Sequence, residues 1–327
     1  MKIKDEIWIL ADDKPGTFSQ SIGLAKELGF EYKIIKLTYS FFAKLPNHFP
    51  ISAFLRITPD LRKSFKSTKY FPKIIISAGR RSAPLALRLK KLSKNQTQVI
   101  QIMNPDMGFD KFDFVILPKH DEIDEGNFNN VITSIGSITN VDQNLIAAEK
   151  EKFYSWFGEM NKTKIAVLVG GSSNKTKFCE SCAKNLANQI SKIANKMDAK
   201  LLILNSRRTS EEITKTLKTN LDCDFQFFDW QETKNENPYL AILGYADFFI
   251  ITGDSVSMIS ECCSSGKPVY IFDEKEISAK KHRKFHQNLF ANHYAKKLTK
   301  STLILEDFAQ KKLQETKRIA AIIRTKF

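Results

Sequence analysis

No apolar run in the 327 residues approaches the ~18 needed for a helix to cross a bilayer, so a membrane-spanning segment is excluded from the reading. Cysteine is scarce. Five of them, at 179, 182, 223, 262 and 263, make an odd number without secretory context, so no disulfide framework is implied. Cys179 and Cys182 have the spacing of a redox or metal pair, but a zinc site needs four ligands, and no second C-x-x-C or nearby histidine pair follows. The pair is therefore expected to be small, buried helix residues, and neither a metal nor a cofactor is expected. The Asp222-Cys223-Asp224 triplet matches the D-x-D form of metal-dependent transferases, but it stands just before a strand, the wrong end for a ligand site. The G-x-G-x-x-G pattern is missing after the first strand, which weakens a dinucleotide reading. Low-complexity segments, fixed repeats and RNA- or DNA-binding motifs are also missing. The opening MKIKDEIWIL enters a strand with acids inside it, unlike a signal or transit peptide, which predicts a cytoplasmic protein.

What is present is enough apolar material, 42% of residues and 25 Phe, for two ordinary domains. The net charge of +15 is concentrated in two stretches. Residues 31–73 carry nine Lys/Arg against two acids, and residues 275–327 carry fourteen against four. Localised basic surface implies an anionic partner, either phosphates or acidic lipid headgroups. Between Ser40 and Tyr70, Phe41, Phe42, Phe49, Phe54, Phe65 and Tyr70 are interleaved with cations. That mixture suits an anionic membrane surface, with the protein peripheral on its inner face. It also suits single-stranded nucleic acid or a partly buried α-hairpin with a solvated basic face. Nucleic acid is the weaker partner, because the charge is confined to two blocks.

Strands and helices alternate through both halves. Ile7–Leu10 is a strand, and ADDKPGT (residues 11–17) is the loop after it, bringing Asp12, Asp13 and Gly16 to the carboxyl end, with Thr17 as cap of a helix over 18–28. Lys73–Ser77 leads into Gly79-Arg80-Arg81 at another helix start. Two arginines there oppose the helix dipole and are explained by an anion at that position. His120 follows the strand Phe114–Leu117. Residues 136–160 cross into the second half, mostly as a helix over 142–157. Lys164–Val169 is followed by Gly170-Gly171-Ser172-Ser173 and a helix over 175–197. Paired glycines let amides approach a phosphate. Arg207 and Arg208 stand in the turn after Leu201–Leu204. Phe248–Ile251 precedes Thr252-Gly253-Asp254-Ser255, a turn and N-cap for a helix carrying Ser257 and Glu261 and closed by Gly266. A last helix is expected over 310–325.

The segment TGDSVSMISECCSSGKPVYIF resembles the donor-binding segment of GT-B glycosyltransferases, above all the lipid-linked N-acetylglucosamine transferase of peptidoglycan synthesis. There a Ser/Gly turn faces the nucleotide diphosphate and a helix glutamate holds the ribose; Glu261 stands at that glutamate's place. Over nearly the whole chain, the words DDKPGTFSQSIGLA, SAGRRSAPLAL, PDMGFDKFDFVILPKHD, VLVGGSS, NSRRTS and TGDSVSMISE resemble the mitochondrial-fission (elongated-mitochondria) family in its bacterial form. The resemblance implies an α/β GT-B-like fold: two Rossmann-like parallel-sheet domains facing across a cleft. Residues 1–140 would form the acceptor domain, residues 141–310 the nucleotide-sugar domain, and residues 311–327 a helix crossing back to the first. It further implies a metal-independent transferase using a nucleotide-diphosphate sugar. Asp12, Asp13 and His120 are the unranked candidates for its base. The donor would be held by Gly170–Ser173, Arg207, Arg208, Thr252–Ser255, Ser257 and Glu261. The alternative is a GT-B-shaped membrane adaptor without catalysis. A sugar-nucleotide epimerase would need a cluster of carboxylates and histidine around the nucleotide.

Overall fold

Continuous rather than alternating apolar runs build the strands. In the central one, residues 74–78 read Ile-Ile-Ile-Ser-Ala and are at most 1% exposed, the pattern of a parallel sheet covered on both faces. The computed structural model describes residues 2–123, 125–157, 161–173, 176–308 and 310–326. They form two units, Met1–Asn140 with Gln314–Phe327, and Val141–Leu313.

The first unit runs β1 (Lys2–Ala11), α1 (Pro15–Leu28), β2 (Tyr32–Lys36), α2 (Pro59–Lys66), β3 (Tyr70–Ala78), α3 (Ala83–Leu92), β4 (Gln98–Ile102), β5 (Phe114–Pro118) and β6 (Val131–Ser134). Its parallel sheet has the order β2-β1-β3-β4-β5-β6. The second unit opens with α4 (Gln143–Lys152) and α5 (Tyr154–Phe157). There follow β7 (Thr163–Leu168), α6 (Glu180–Met197), β8 (Ala199–Leu204), α7 (Glu211–Asn220), β9 (Phe225–Phe228), α8 (Trp230–Thr233) and α9 (Tyr239–Tyr245). It closes with β10 (Phe248–Thr252), α10 (Val256–Ser265), β11 (Val269–Phe272), α11 (Lys280–Ala291) and β12 (Lys296–Lys297). That sheet is also parallel, in the order β12-β11-β10-β7-β8-β9.

The chain then returns to the first unit as α12 (Glu315–Arg324). Ile319, Ala320 and Ile323 are fully buried against Leu24, Ala25 and Leu28 of α1. Glu315 accepts the Ile135 amide at 2.9 Å, and Thr316 exchanges hydrogen bonds with Thr139 at 2.9 and 3.1 Å. Helix α1 lies so close to this seam that a Cβ at Gly23 would overlap the Thr139 carbonyl.

Several boundaries differ from the sequence reading. Helix α1 begins at Pro15 with Lys14 at its N-cap, and Thr17 Oγ1 donates back to Lys14 O at 2.8 Å instead of capping. The expected helix over 142–157 breaks at Phe153, whose ring is buried (1% exposed) and packs on Trp156. Helix α6 starts at Glu180; the predicted start at 175 lies outside the described residues, and residues 176–179 precede the helix. Before it, Ser172 Oγ accepts the Phe178 amide at 3.0 Å. The last helix starts at Glu315 rather than 310.

Candidate functional site

In a doubly wound sheet, ligands sit outside the carboxyl ends of the strands where the winding direction reverses. In the second unit that point lies between β7 and β10. The chain fills much of it itself. Thr252 Oγ1 accepts the Gly170 amide at 2.7 Å and donates to Asp254 Oδ1 at 2.7 Å. Asp254 Oδ2 accepts the Gly171 amide at 2.9 Å and Arg208 Nη2 at 2.7 Å, with the Asp254 side chain only 2% exposed. Arg208 Nη1 also reaches Gly171 O at 3.3 Å. The two glycines, expected to leave amides open to a phosphate, give those amides to Thr252 and Asp254. They are glycines because a Cβ at 170 would overlap the Asp254 carboxylate and one at 171 the Arg208 carbonyl. Ser173 folds back too, its amide donating to Thr176 O at 2.9 Å.

What stays open is the start of α10. Ser255 is its N-cap and its Oγ accepts the Met258 amide at 3.4 Å, while the Ser255 carbonyl takes the Ile259 amide. The amides of Val256 and Ser257 have no partner among the described residues, as first-turn donors do. Arg207 is exposed, and among the described residues no carboxylate pairs with it. Further along α10, Glu261 accepts the Tyr239 hydroxyl. Burial pushes its pKa up to about 7, and the Tyr239 bond only partly offsets this. Gly253 lets Ser278 and His286 pack against the turn: a Cβ there would overlap Ser278 Oγ and crowd the His286 ring, whose Nδ1 lies 3.2 Å from Asp273 Oδ1.

The raised Glu261 pKa fixes a sign. A carboxyl whose folded pKa is near 7 against an ordinary 4.5 favours folding while protonated and loses that contribution as pH rises through about 7. Urea titrations from pH 5 to 8 should therefore show wild type losing stability relative to Glu261→Gln, which does not titrate. A parallel dependence in the two proteins would contradict the assignment.

In the first unit the reversal lies between β1 and β3. Arg81, after β3, holds both Asp12 and Asp13, after β1, and its guanidinium lies 4.5 Å from the Tyr39 ring centre. The two carboxyls share one arginine but not one environment. The Asp12 side chain is 5% exposed and the Asp13 side chain 64%. Burial, then the Asp13 contact, raises the Asp12 pKa; the bonds from Asp12 and Arg81 lower that of Asp13. The pair titrates as a unit in which the buried carboxyl keeps the proton longer. The anion that explains two arginines at a helix start is thus the chain's own for Arg81. Arg80 instead holds Lys44 O and Leu45 O, each at 3.0 Å. Gly79 supplies a left-handed turn (φ +75°), and Gly16 lies in the first turn of α1. His120 is 8% exposed, in a turn over Lys119–Asp121 with Nε2 3.9 Å from Asp121 Oδ1. It follows β5, three strands from β1, or roughly 14 Å at ~4.8 Å per strand, so it does not join Asp12 and Asp13.

A family model described as Mitochondrial fission ELM1 matches residues 15–327. The chain belongs to this family. As a member, it is 32% identical over 354 residues to an uncharacterised protein of Rickettsia prowazekii, covering 97% of both chains. It is 25% identical over 220 residues to the mitochondrial fission protein ELM1 of Arabidopsis thaliana, covering 61% of this chain and 51% of that one. Among solved structures it resembles the UDP-GlcNAc 2-epimerase of Methanocaldococcus jannaschii in complex with UDP-GlcNAc and UDP. There the TM-score is 0.51 and the identity 14%, covering 99% of this chain and all of that one. The corresponding enzyme of Neisseria meningitidis, bound to UDP-GlcNAc, gives 0.51 and 12%, covering 98% and 91%. These likenesses show the fold, which is GT-B, shared by glycosyltransferases and epimerases.

The sequence reading missed Thr209, whose Oγ1 donates to Gly170 O, as well as His282 and His286 of α11. Burial, with His286 nearby, lowers the His282 pKa, and Asp254 and Arg208 also act on it. The i, i+4 spacing of the two histidines was visible in KHRKFHQN and places both on one helix face. Cys182 is buried on α6 as expected, whereas Cys179 is half-buried and stands at the N-cap, outside the helix; the two sulfurs are 2.7 Å apart. Among the described residues the candidate metal cluster is Cys182 with Glu274 and Glu276, brought together by the fold although far apart in sequence. The Asp222–Asp224 triplet lies at the amino end of β9, where Asp224 faces Lys200 at 3.9 Å.

Proposed function

We propose that this ELM1-family chain is a metal-independent GT-B glycosyltransferase that uses a nucleotide-diphosphate sugar. The observation that supports this most is the start of α10. Two unpartnered amides and the exposed Arg207 flank the reversal point of the second sheet, and Glu261 stands on the same helix. The amides and Arg207 would take the charge of the leaving diphosphate, and Glu261 would accept from the ribose hydroxyls. In the first unit Asp12 would take the proton of the acceptor hydroxyl, with Arg81 holding it in place. The exposed Phe41, Phe42 and Phe49 support an acceptor presented at an anionic membrane surface, while Phe54 and Phe65 belong to the core. Among the described residues no helix is long and apolar enough to cross a membrane.

Thermal-shift titration against UDP, GDP, ADP and CMP with their sugars tests the donor. One nucleotide should stabilise the protein, by about 2.7 kcal/mol at 100 times its dissociation constant. Glu261→Ala should weaken that nucleotide by about 1–3 kcal/mol, roughly 5–150-fold. The second reading, a membrane adaptor without catalysis, is favoured by Asp254 occupying the paired-glycine turn. It is the outcome if no nucleotide stabilises the protein and its vesicle binding is intact.

A further inference from the structure

A cavity of about 760 Å³ lies in the first unit beside the outer face of α3. Pro84, Leu87, Arg88 and Lys91 line it at helical i, i+3, i+4 and i+7 spacing, while Ala83, Ala86 and Leu89 on the opposite face enter the core. The loop over 47–56 and the segment over 107–113 form the other walls. None of the residues named so far as donor- or base-binding lines it.

Its chemistry is two-sided. Ile51, Leu87 and Met107 give apolar wall, and Arg88, Lys91 and Lys111 stand exposed around it. Among the described residues no carboxylate pairs with those three cations. Asp113, the one acid in the lining, is engaged by Lys90 at 2.6 Å. Deeper in, Arg56 is 2% exposed and spends Nη1 and Nη2 on Leu45 O and Pro46 O at 2.8 and 2.9 Å. Its buried Nε has no acceptor, and neither does the buried Asn47 Oδ1 have a donor, although both residues line the cavity. A buried charged donor left without a partner is costly, and a ligand acceptor removes that cost. Burial and the neighbouring Arg80 lower the Arg56 pKa, as expected of a cation short of negative charge.

Arginine beside uncompensated cations selects a phosphoryl or other anionic group; the apolar wall selects a hydrocarbon body attached to it. The same stretch that gives Asn47, Ile51, Ala53 and Arg56 to the lining also carries Phe41, Phe42 and Phe49, 73%, 43% and 46% exposed. Exposed aromatics on the stretch that walls a cationic pocket fit a ligand drawn from a bilayer better than a soluble phosphate. We propose that the cavity outside α3 binds a single anionic phospholipid. The phosphate would lie among Arg56, Arg88, Lys91 and Lys111 and the proximal chain along Leu87, Met107 and Ile51. This site is separate from the proposed transfer chemistry and stands whether or not a nucleotide binds.

The test titrates the full chain calorimetrically with short-chain (dihexanoyl) phosphatidylglycerol below its micellar concentration. Dihexanoyl phosphatidylcholine and inorganic phosphate are run beside it. Phosphatidylglycerol should bind at least tenfold more tightly than phosphatidylcholine, and millimolar phosphate alone should not bind. The double variant R88E/K91E changes only exposed positions and should lose at least tenfold in affinity at unchanged thermal stability. Leu87→Trp, which fills the cavity, should lose as much. In contrast, F41S/F42S should weaken capture on anionic vesicles and leave the short-chain affinity within twofold. No binding of the short-chain lipid, equal binding of the two lipids, phosphate binding as well as the lipid does, or unchanged affinity in both R88E/K91E and Leu87→Trp would each overturn the proposal.

Discussion

Asp254→Ala is expected to destabilise the second unit by about 3 kcal/mol, seen as a lower urea midpoint. The carboxylate is almost fully buried and accepts three donors, the Gly171 amide, the Thr252 hydroxyl and the Arg208 guanidinium. Removing one partner of a buried ion pair costs about 3–5 kcal/mol, because the other charge and its hydrogen bonds lose their complement. The low end applies here, since the Arg208 side chain is 36% exposed and can turn to water. Arg208→Ala should cost a comparable amount, about 2–3 kcal/mol, because it leaves the almost fully buried Asp254 carboxylate without its counter-charge while its two other hydrogen bonds remain. The double variant should cost less than the two losses added, because both act on one network. A loss below 1 kcal/mol for Asp254→Ala would mean that the β7 and β10 turns hold their shape without this carboxylate, leaving the glycine amides available to a ligand.

Asp12→Asn should lower donor-dependent turnover by about 10²–10⁴-fold, the contribution of a positioned general base, while Asp13→Asn should lower it far less. The asymmetry comes from burial. Asp12 is enclosed and its pKa raised, whereas Asp13 is hydrated and holds Arg81 from outside. Because the base must be ionised to accept a proton, the wild-type rate should rise with pH through the raised Asp12 pKa. Product release from the nucleotide sugar, followed at several pH values, is the measurement. Equal losses in the two variants would assign the aspartates to holding Arg81. Unchanged rates in both would move the base elsewhere.

The fold was legible because its signals are local and periodic. Apolar runs such as residues 74–78, followed by Gly79, and 248–252, ending in Thr252, fix strand, turn and helix in order. Ser255 and Gly266 close α10 at the predicted ends. Boundaries failed where tertiary contacts outvoted propensity. The helix predicted from residue 175 begins only at Glu180, because Ser172 Oγ and Thr176 O take up the Phe178 and Ser173 amides before it. The site was legible only as a set of residue types. That Asp12, Asp13 and Arg81 meet, while His120 does not join them, depends on strand order: β1 adjoins β3, but β5 lies three places away. No spacing in the sequence states that order. Likewise a G-G-S-S turn reads as a phosphate cradle until a carboxylate distant in sequence is found in it. Asp254 was read as a ligand-binding residue, and what it holds is the chain itself.

Helix α12 also sets an order of assembly. The first unit draws its hydrophobic cover from both ends of the chain. Ile319, Ala320 and Ile323 seal a surface made of α1 and the residues around 132 and 138. During synthesis those surfaces lack this cover until the whole of Val141–Leu313 has been produced. The segment that the first unit needs for its cover is thus made after the whole of the second. The nascent first unit is therefore the stage at which chaperone capture or aggregation competes with folding. A chain stopped after Leu313 would carry that exposure permanently.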